Sequence, residues 1–134
     1  MPRPQPRFPE PDTQPFWDAT KEHRLTYQVC ANQHVVFYPR AHCPTCGNRD
    51  LAVRESKGEG VIYTYSVVRL NRHPAFAPLG AYAVAYVDLD EGFRILTNIV
   101  GVDDPLADVT IGQRVKVAWE DQESGISLPM FTPA

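Results

Sequence analysis

Cys43 and Cys46 stand three positions apart in the run Cys43-Pro44-Thr45-Cys46-Gly47. Two thiolates at that spacing on a tight turn can face one ion, and the glycine after them lets backbone amides approach the sulfurs. The third cysteine, Cys30, lies upstream across a short hairpin, the separation a zinc ribbon uses between its two knuckles. A structural zinc needs four ligands. A regular knuckle would put the fourth at position 33, where Gln33 stands instead. His34 follows, and a C-x3-H arrangement is chemically reasonable because imidazole reaches further than a thiolate. His42 and His23 are less well placed competitors. The expected set is therefore Cys30, His34, Cys43 and Cys46. A redox pair is the competing reading of any CxxC, but it needs a strand before and a long helix after, and residues 48–59 carry no strong helical period. The other alternative is a module that has lost its metal and is held by packing alone. An odd number of cysteines does not suggest a disulfide framework.

A second group of chemistry-bearing residues falls between two strand-like stretches. Arg69, Arg72 and His73 stand beside Phe76, offering cations for a phosphate or carboxylate and an aromatic ring for a base or acyl chain. Arg40 and Arg94 are further cations that can serve a nucleotide phosphate. The competing reading is a solvated loop with ordinary surface arginines. No Gly-rich phosphate loop, H-E-x-x-H helix or G-x-S-x-G elbow is present, and with all three cysteines on a metal no free thiol remains as a nucleophile. The chain reads as non-catalytic.

The 134 residues, 15.1 kDa, leave little room for two full domains, and 43% apolar with 22% charged residues is a globular balance. No apolar run approaches the roughly 20 residues needed to span a bilayer, and the N-terminal residues lack a secretory h-region. The expected location is the cytoplasm, with no membrane partner. Net charge is −3, and after Val61 five cations face nine carboxylates. That is a poor surface for tracking phosphates and argues against nucleic acid.

These residues must be positioned by short elements. Six of the 13 prolines fall in the first fifteen residues, so residues 1–11 read as an extended arm, either a disordered tail or a clamp on a partner. Residues 12–29 read as a helix and a strand. The helix is capped by Asp12 or Thr13 and runs past Phe16 and Trp17 to about Arg24, and the strand covers Leu25–Val29. Residues 30–56 form the ribbon, with a strand at Val35–Tyr38. Residues 57–134 read as five antiparallel strands: Val61–Leu70, Tyr82–Leu89, Phe93–Val100, Arg114–Glu120 and Leu128–Phe131. Between them stand turn signals such as Asp90-Glu91-Gly92. The fold expected is mainly β, a helix and zinc ribbon followed by a five-stranded OB-fold barrel, with an open sheet as the rival. Tyr63, Tyr65, Tyr82 and Tyr86 alternate with smaller residues, so some of them face outward, while Trp17 and Trp119 anchor the core.

From Phe16 to Ala134 the chain resembles a family of small zinc-ribbon plus OB-fold proteins, long described as a domain of unknown function, that accompany thiolase-like enzymes, aldolases or acyl-CoA hydratases. The residues that carry the resemblance are Phe16-Trp17, Tyr38-Pro39-Arg40 before the CxxC, Gly58-Glu59-Gly60-Val61-Ile62-Tyr63-Thr64-Tyr65-Ser66, and Val87-Asp88-Leu89-Asp90-Glu91-Gly92. Asn98-Ile99-Val100-Gly101, Ile111-Gly112-Gln113-Arg114-Val115 and Leu128-Pro129-Met130-Phe131 complete it. Gln33-His34 departs from the family's Cys-Gly and touches only the metal site. The resemblance implies an accessory subunit in a hetero-oligomer. Its barrel would pack on a thiolase-fold enzyme (a thiolase or an acyl-CoA retro-aldolase) and help receive a coenzyme A thioester. A single-stranded nucleic-acid module is the alternative, because ribbons and OB-folds also serve there; a stand-alone thioesterase or hydrolase is a third.

Overall fold

The structure, a computed structural model, describes residues 3–7 and 10–134. The parts of the expected arm at Met1, Pro2, Phe8 and Pro9 lie outside the described residues. Helix α1 (Gln14–Thr20) carries proline in its first turn and buries Phe16, Ala19 and Thr20. Thr13 occupies the N-cap position without a capping side-chain bond, its hydroxyl donating instead to the Glu10 carbonyl at 3.1 Å. The helix stops short of Arg24. Its end tightens into bonds three residues long, His23 takes a left-handed φ of 57°, and the Arg24 amide turns back to the Ala19 carbonyl. Seven residues are too few to hold a helix without packing, so it ends where the buried face ends.

Strands β1 (Thr26–Cys30), β2 (Val35–Val36) and β3 (Leu51–Glu55) form an antiparallel sheet in the order β2-β1-β3. β2 is shorter than its apolar run because Tyr38 leaves the sheet, its hydroxyl accepting the Leu96 amide at 3.0 Å. β3 has no counterpart among the expected strands. Its side chains are mostly exposed, so pairing with β1 rather than burial defines it.

The barrel follows. β4 (Glu59–Val68), β5 (Tyr82–Leu89), β6 (Arg94–Ile99), β7 (Arg114–Asp121) and β8 (Ser127–Pro133) close in the order β4-β5-β6-β8-β7, with β7 returning to β4. All pairings are antiparallel except β6 with β8. This is the OB-fold topology, and Ile62, Ala85, Val87, Ile95, Val115 and Phe131 fill its interior. A register shift between Ile62 and Thr64 bends β4 so that one strand serves both β5 and β7. Gly60 sits at that junction, where a Cβ would overlap the Asp88 carbonyl oxygen. The overlap is with backbone, which cannot swing aside. Gly60→Ala is expected to destabilise the barrel by about 1–3 kcal/mol, the usual cost of overpacking; a denaturant melt with unchanged midpoint would count against this reading of the closure. A short helix, α2 (Pro105–Asp108), occupies the expected turn region, with Asp104 accepting the Leu106 amide as its cap.

An aromatic seam and a carboxylate clamp add to the Tyr38–Leu96 bond in fixing the ribbon against the barrel. Phe93, immediately before β6, stacks on Tyr27 at 5.0 Å and lies 4.7 Å from Phe37, which in turn meets Phe16 at 5.8 Å. This aromatic seam joins β1, α1 and the barrel core. On the other side of the linker the Glu91 carboxylate accepts from the Ser56 hydroxyl at 2.7 Å and the Lys57 amide at 2.8 Å. The turn after β5, a hairpin signal in the sequence, thus also clamps the segment that links the two sheets.

Candidate functional site

β1 delivers Cys30 at its last residue, and the reversal that follows uses Gln33 at φ 68° to bring His34 back beside it. The Gln33 amide bonds the Cys30 carbonyl at 2.8 Å, a tight turn of the kind a ribbon knuckle needs. The second knuckle turns one residue later, with the Gly47 amide on the Cys43 carbonyl at 2.8 Å and Gly47 at φ 75°. Gln33 therefore supplies the left-handed turn while leaving the ligand position to its neighbour.

The ligand atoms of Cys30, His34, Cys43 and Cys46 lie within 4.8 Å of one another. Cys30 and Cys46 sulfurs are 3.8 Å apart, and His34 Nδ1 is 3.5 Å from the Cys30 sulfur and 3.7 Å from that of Cys43. A tetrahedron with zinc–sulfur bonds near 2.3 Å and zinc–nitrogen bonds near 2.0 Å has edges of roughly 3.5–3.8 Å. The donor set fits. The sulfur separation is far outside the roughly 2.05 Å of a disulfide.

The surroundings also suit thiolates. Burial pushes the Cys30 thiol up, which an ion must offset. Burial acts the same way at Cys43, but amides of Cys46 and Thr45 outweigh it and hold that thiol down. The Asn32 side-chain amide, 3.4 Å from the Cys46 sulfur, leads the groups that lower Cys46 to about 7. Asn32 escaped the sequence reading; its place inside the first knuckle was the available signal.

The other expected binding residues are spread over the surface. Arg40 is tied through its backbone to the Gln28 side chain on the ribbon. Arg94 forms two bonds to Asp88, at 2.6 and 3.1 Å, and its guanidinium lies 3.6 Å above the Tyr63 ring. Arg69 and Arg72 are exposed. His73 shapes its own loop by accepting the Ala75 amide on Nδ1, and its ring meets Phe76 at 5.6 Å. Phe76 lines an apolar cleft beside Arg3, and Arg94 lines a separate one beside Asp88 and Phe93.

The barrel's outer face carries a further feature. Tyr63, Tyr86 and Leu96 are each about 40–50% exposed, and Tyr86 pairs directly across from Leu96. Tyr38, equally exposed, is bonded to the Leu96 amide and extends the patch toward the ribbon. Tyr65 packs on the core and Tyr82 stacks on Phe76 instead. Trp17 and Trp119 also pack against the core.

Residues 17–52 match the family described as the ChsH2 rubredoxin-like zinc ribbon domain, and residues 53–120 match the ChsH2 C-terminal OB-fold domain. A DUF35 domain-containing scaffold protein of Methanocaldococcus jannaschii is 36% identical, the match covering 82% of this chain and 81% of that one. The chain belongs to the DUF35 family. This DUF35 chain is also 38% identical, over 89% of its length, to a protein of Thermomonospora curvata named a probable enoyl-CoA hydratase alpha subunit, of which it spans 37%. Among solved structures it is similar to one titled Ltp2-ChsH2(DUF35) aldolase, with a TM-score of 0.83, 34% identity, and coverage of 96% and 98% of the two chains. The expected family and the ribbon-plus-barrel fold are thus both present. Among the described residues no helix is long and apolar enough to cross a membrane.

Proposed function

We propose that this DUF35 chain is a non-catalytic scaffold subunit of an acyl-CoA-processing complex. It docks on a thiolase-fold enzyme, a thiolase or an acyl-CoA retro-aldolase, and supports acyl-CoA binding there. The observation that carries the reading is the whole-chain similarity to the DUF35 member of a structure titled as an aldolase. Two features agree with it: an exposed aromatic patch on the barrel and the lack of a self-sufficient catalytic constellation in the sequence.

Zinc is held in this reading by Cys30, His34, Cys43 and Cys46. With four protein ligands no position is left for water, so the ion's contribution is structural: it fixes the two knuckles. His23, Asp121 and Ser127 do lie together, but the carboxylate sits between the imidazole and the hydroxyl and Ser127 is buried, an order that cannot activate the serine. A nucleic-acid role finds little support, since Arg94 and Arg114, two of the five barrel cations, are paired with Asp88 and Asp90.

The test is reconstitution. The tagged chain, expressed in its native cell, is expected to bring down a thiolase-fold enzyme, identified by mass spectrometry. That enzyme's turnover of acyl-CoA should fall at least about tenfold when the subunit is left out. Equal turnover by the enzyme alone would end the proposal.

A further inference from the structure

β3 is an edge strand. The sheet order β2-β1-β3 puts β1 on one side of it and, among the described residues, no strand on the other. Its ladder to β1 fixes where its backbone groups point. The Ala31 amide bonds the Asp50 carbonyl at 3.0 Å, the Ser56 amide bonds the Leu25 carbonyl at 2.8 Å, and Ala52 stands opposite Val29 between them. The two sides of an antiparallel strand alternate, so residues 50, 52, 54 and 56 face β1. Leu51, Val53 and Glu55 turn their amides and carbonyls outward. Arg49, Asp50 and residues 52–55 are exposed, the Val53 side chain among them.

An edge of this kind is a template for another strand unless proline, a bulge or a covering segment blunts it. β3 contains no proline, and it pairs with β1 without a register shift. The described part of the N-terminal arm lies elsewhere. Arg3 bonds Glu120 at 2.7 Å and Gln5 bonds Gln122 at 2.8 Å, which clamps the arm on the chain's own barrel, an arrangement that neither reading of the prolines included.

The order of the side chains says what does fit. The run Arg49-Asp50-Leu51-Ala52-Val53-Arg54-Glu55 is complementary in charge to its own reverse. Pairing it antiparallel with a second copy, about a two-fold axis at Ala52, sets Leu51 opposite Val53, Asp50 opposite Arg54 and Arg49 opposite Glu55, each twice. Leu51 and Val53 then exchange the backbone bonds that both already turn outward. Asp50 and Arg54 fall in the closer, non-hydrogen-bonded kind of pair, where cross-strand charges meet most directly. Neighbouring registers lose this match. An axis at Val53 sets Arg49 against Lys57 and Leu51 against Glu55, and an axis at Arg54 sets that guanidinium against its own copy. Glu55 is also held by Arg24 at 2.7 Å. Among the described residues Asp50 bonds only through its backbone and the Arg54 side chain has no partner, so these two are free to fix the register.

We infer that β3 pairs antiparallel with β3 of a second copy of this chain about a two-fold axis at Ala52, joining two three-stranded ribbon sheets into one. The contact is isologous and therefore closes at a dimer. It goes beyond the scaffold reading and does not depend on it.

The experiment uses the zinc-loaded full chain with no partner enzyme, so its outcome is separate from that of the reconstitution. Sedimentation equilibrium is expected to show a reversible dimer with a Kd below about 1 mM, the weak range that so small an interface supports. Arg54→Asp, which sets two carboxylates against each other on both sides of the axis, should weaken the dimer at least about fivefold. Adding Asp50→Arg reverses the pair and should restore the wild-type Kd to within about twofold, the mark of a direct coupling. A merely structural role for Arg54 would not be rescued in this way. Position 52 meets its copy across the axis at about 4.5 Å between α-carbons, within reach of a disulfide, whereas the two copies of position 53 are diagonal, roughly 7–8 Å apart. Under oxidised glutathione Ala52→Cys should therefore cross-link and Val53→Cys should not. Zinc content and melting curves establish that each variant folds. A wild-type chain that stays monomeric at about 1 mM, a dimer indifferent to Arg54→Asp, failure of the double variant to restore it, or cross-linking at position 53 rather than 52 would each overturn the inference.

Discussion

Replacing Cys43 by serine, or stripping the protein with a strong chelator, is expected to melt residues 30–50 while the barrel stays folded. The reason is the size of the ribbon's own core. Cys30, Val36 and Cys43 are its buried residues, with Leu51 packed against them. Two of those are ligands, and β2 contributes only two residues to the sheet. Without an ion, three sulfurs and an imidazole would crowd into a space that burial alone cannot stabilise, and the Cys30 thiol would be left buried without its partner. Binding to a comparable structural zinc site in small peptides is worth about 10–16 kcal/mol near neutral pH, far more than a four-residue cluster returns. The barrel has its own, larger core, to which α1 and the aromatic seam already belong. The expected record is one equivalent of zinc in the native protein and collapse of the amide signals of residues 30–50 on its removal. Signals from β4 to β8 should shift little. Dispersed ribbon signals in metal-free protein would show that packing holds the knuckles, and the zinc reading would have to be given up.

How legible this was in the sequence differs by element. β5 runs over the stretch expected of it, Tyr82–Leu89, because its inward residues Ala83, Ala85, Val87 and Leu89 alternate without interruption and the Asp90-Glu91-Gly92 turn ends it. β3 was not legible, because its pattern of exposure has no alternation: the strand exists through hydrogen bonds to β1, and those partners are more than twenty residues away. The clustering of Cys30, His34, Cys43 and Cys46 follows the cysteine spacing, but the role of Gln33 as a left-handed hinge, and of Asn32 as a donor to Cys46, appears only when the turn is built. The arm was the hardest. Proline excluded helix and central strand from residues 3–7 but could not say where the segment lies, since its partners Asn98, Glu120 and Gln122 are about a hundred residues on. The arginines of the expected binding group were visible as charges, yet whether each is free depends on a cross-strand neighbour, as Asp88 is for Arg94.

Tyr86→Asp is expected to abolish assembly with the partner enzyme while leaving the isolated chain folded and zinc-loaded. Tyr86 points outward from the middle of β5, opposite Leu96 and diagonal to Tyr63. Its neighbours on the rim, Arg94 and Asp88, neutralise each other, so the patch offers a docking surface an apolar centre with a paired-charge border. Interfaces concentrate their energy in such central aromatics, where truncation alone costs 2 kcal/mol or more in hot spots. Aspartate adds to the lost contact the desolvation of a carboxylate, and the Arg94 guanidinium on this face is already bonded to Asp88. The combined effect should weaken the complex by at least about a hundredfold, which corresponds to roughly 2.8 kcal/mol. Because the side chain is already 41% exposed, the melting temperature of the isolated chain should hardly move. Size-exclusion chromatography of the mixture, with the partner's turnover measured alongside, reads both quantities. Turnover should drop to the level of the enzyme without the subunit. A complex that persists at wild-type strength in the folded Tyr86→Asp protein would move the docking site off this face, toward the ribbon or the arm, while leaving the metal centre as it stands.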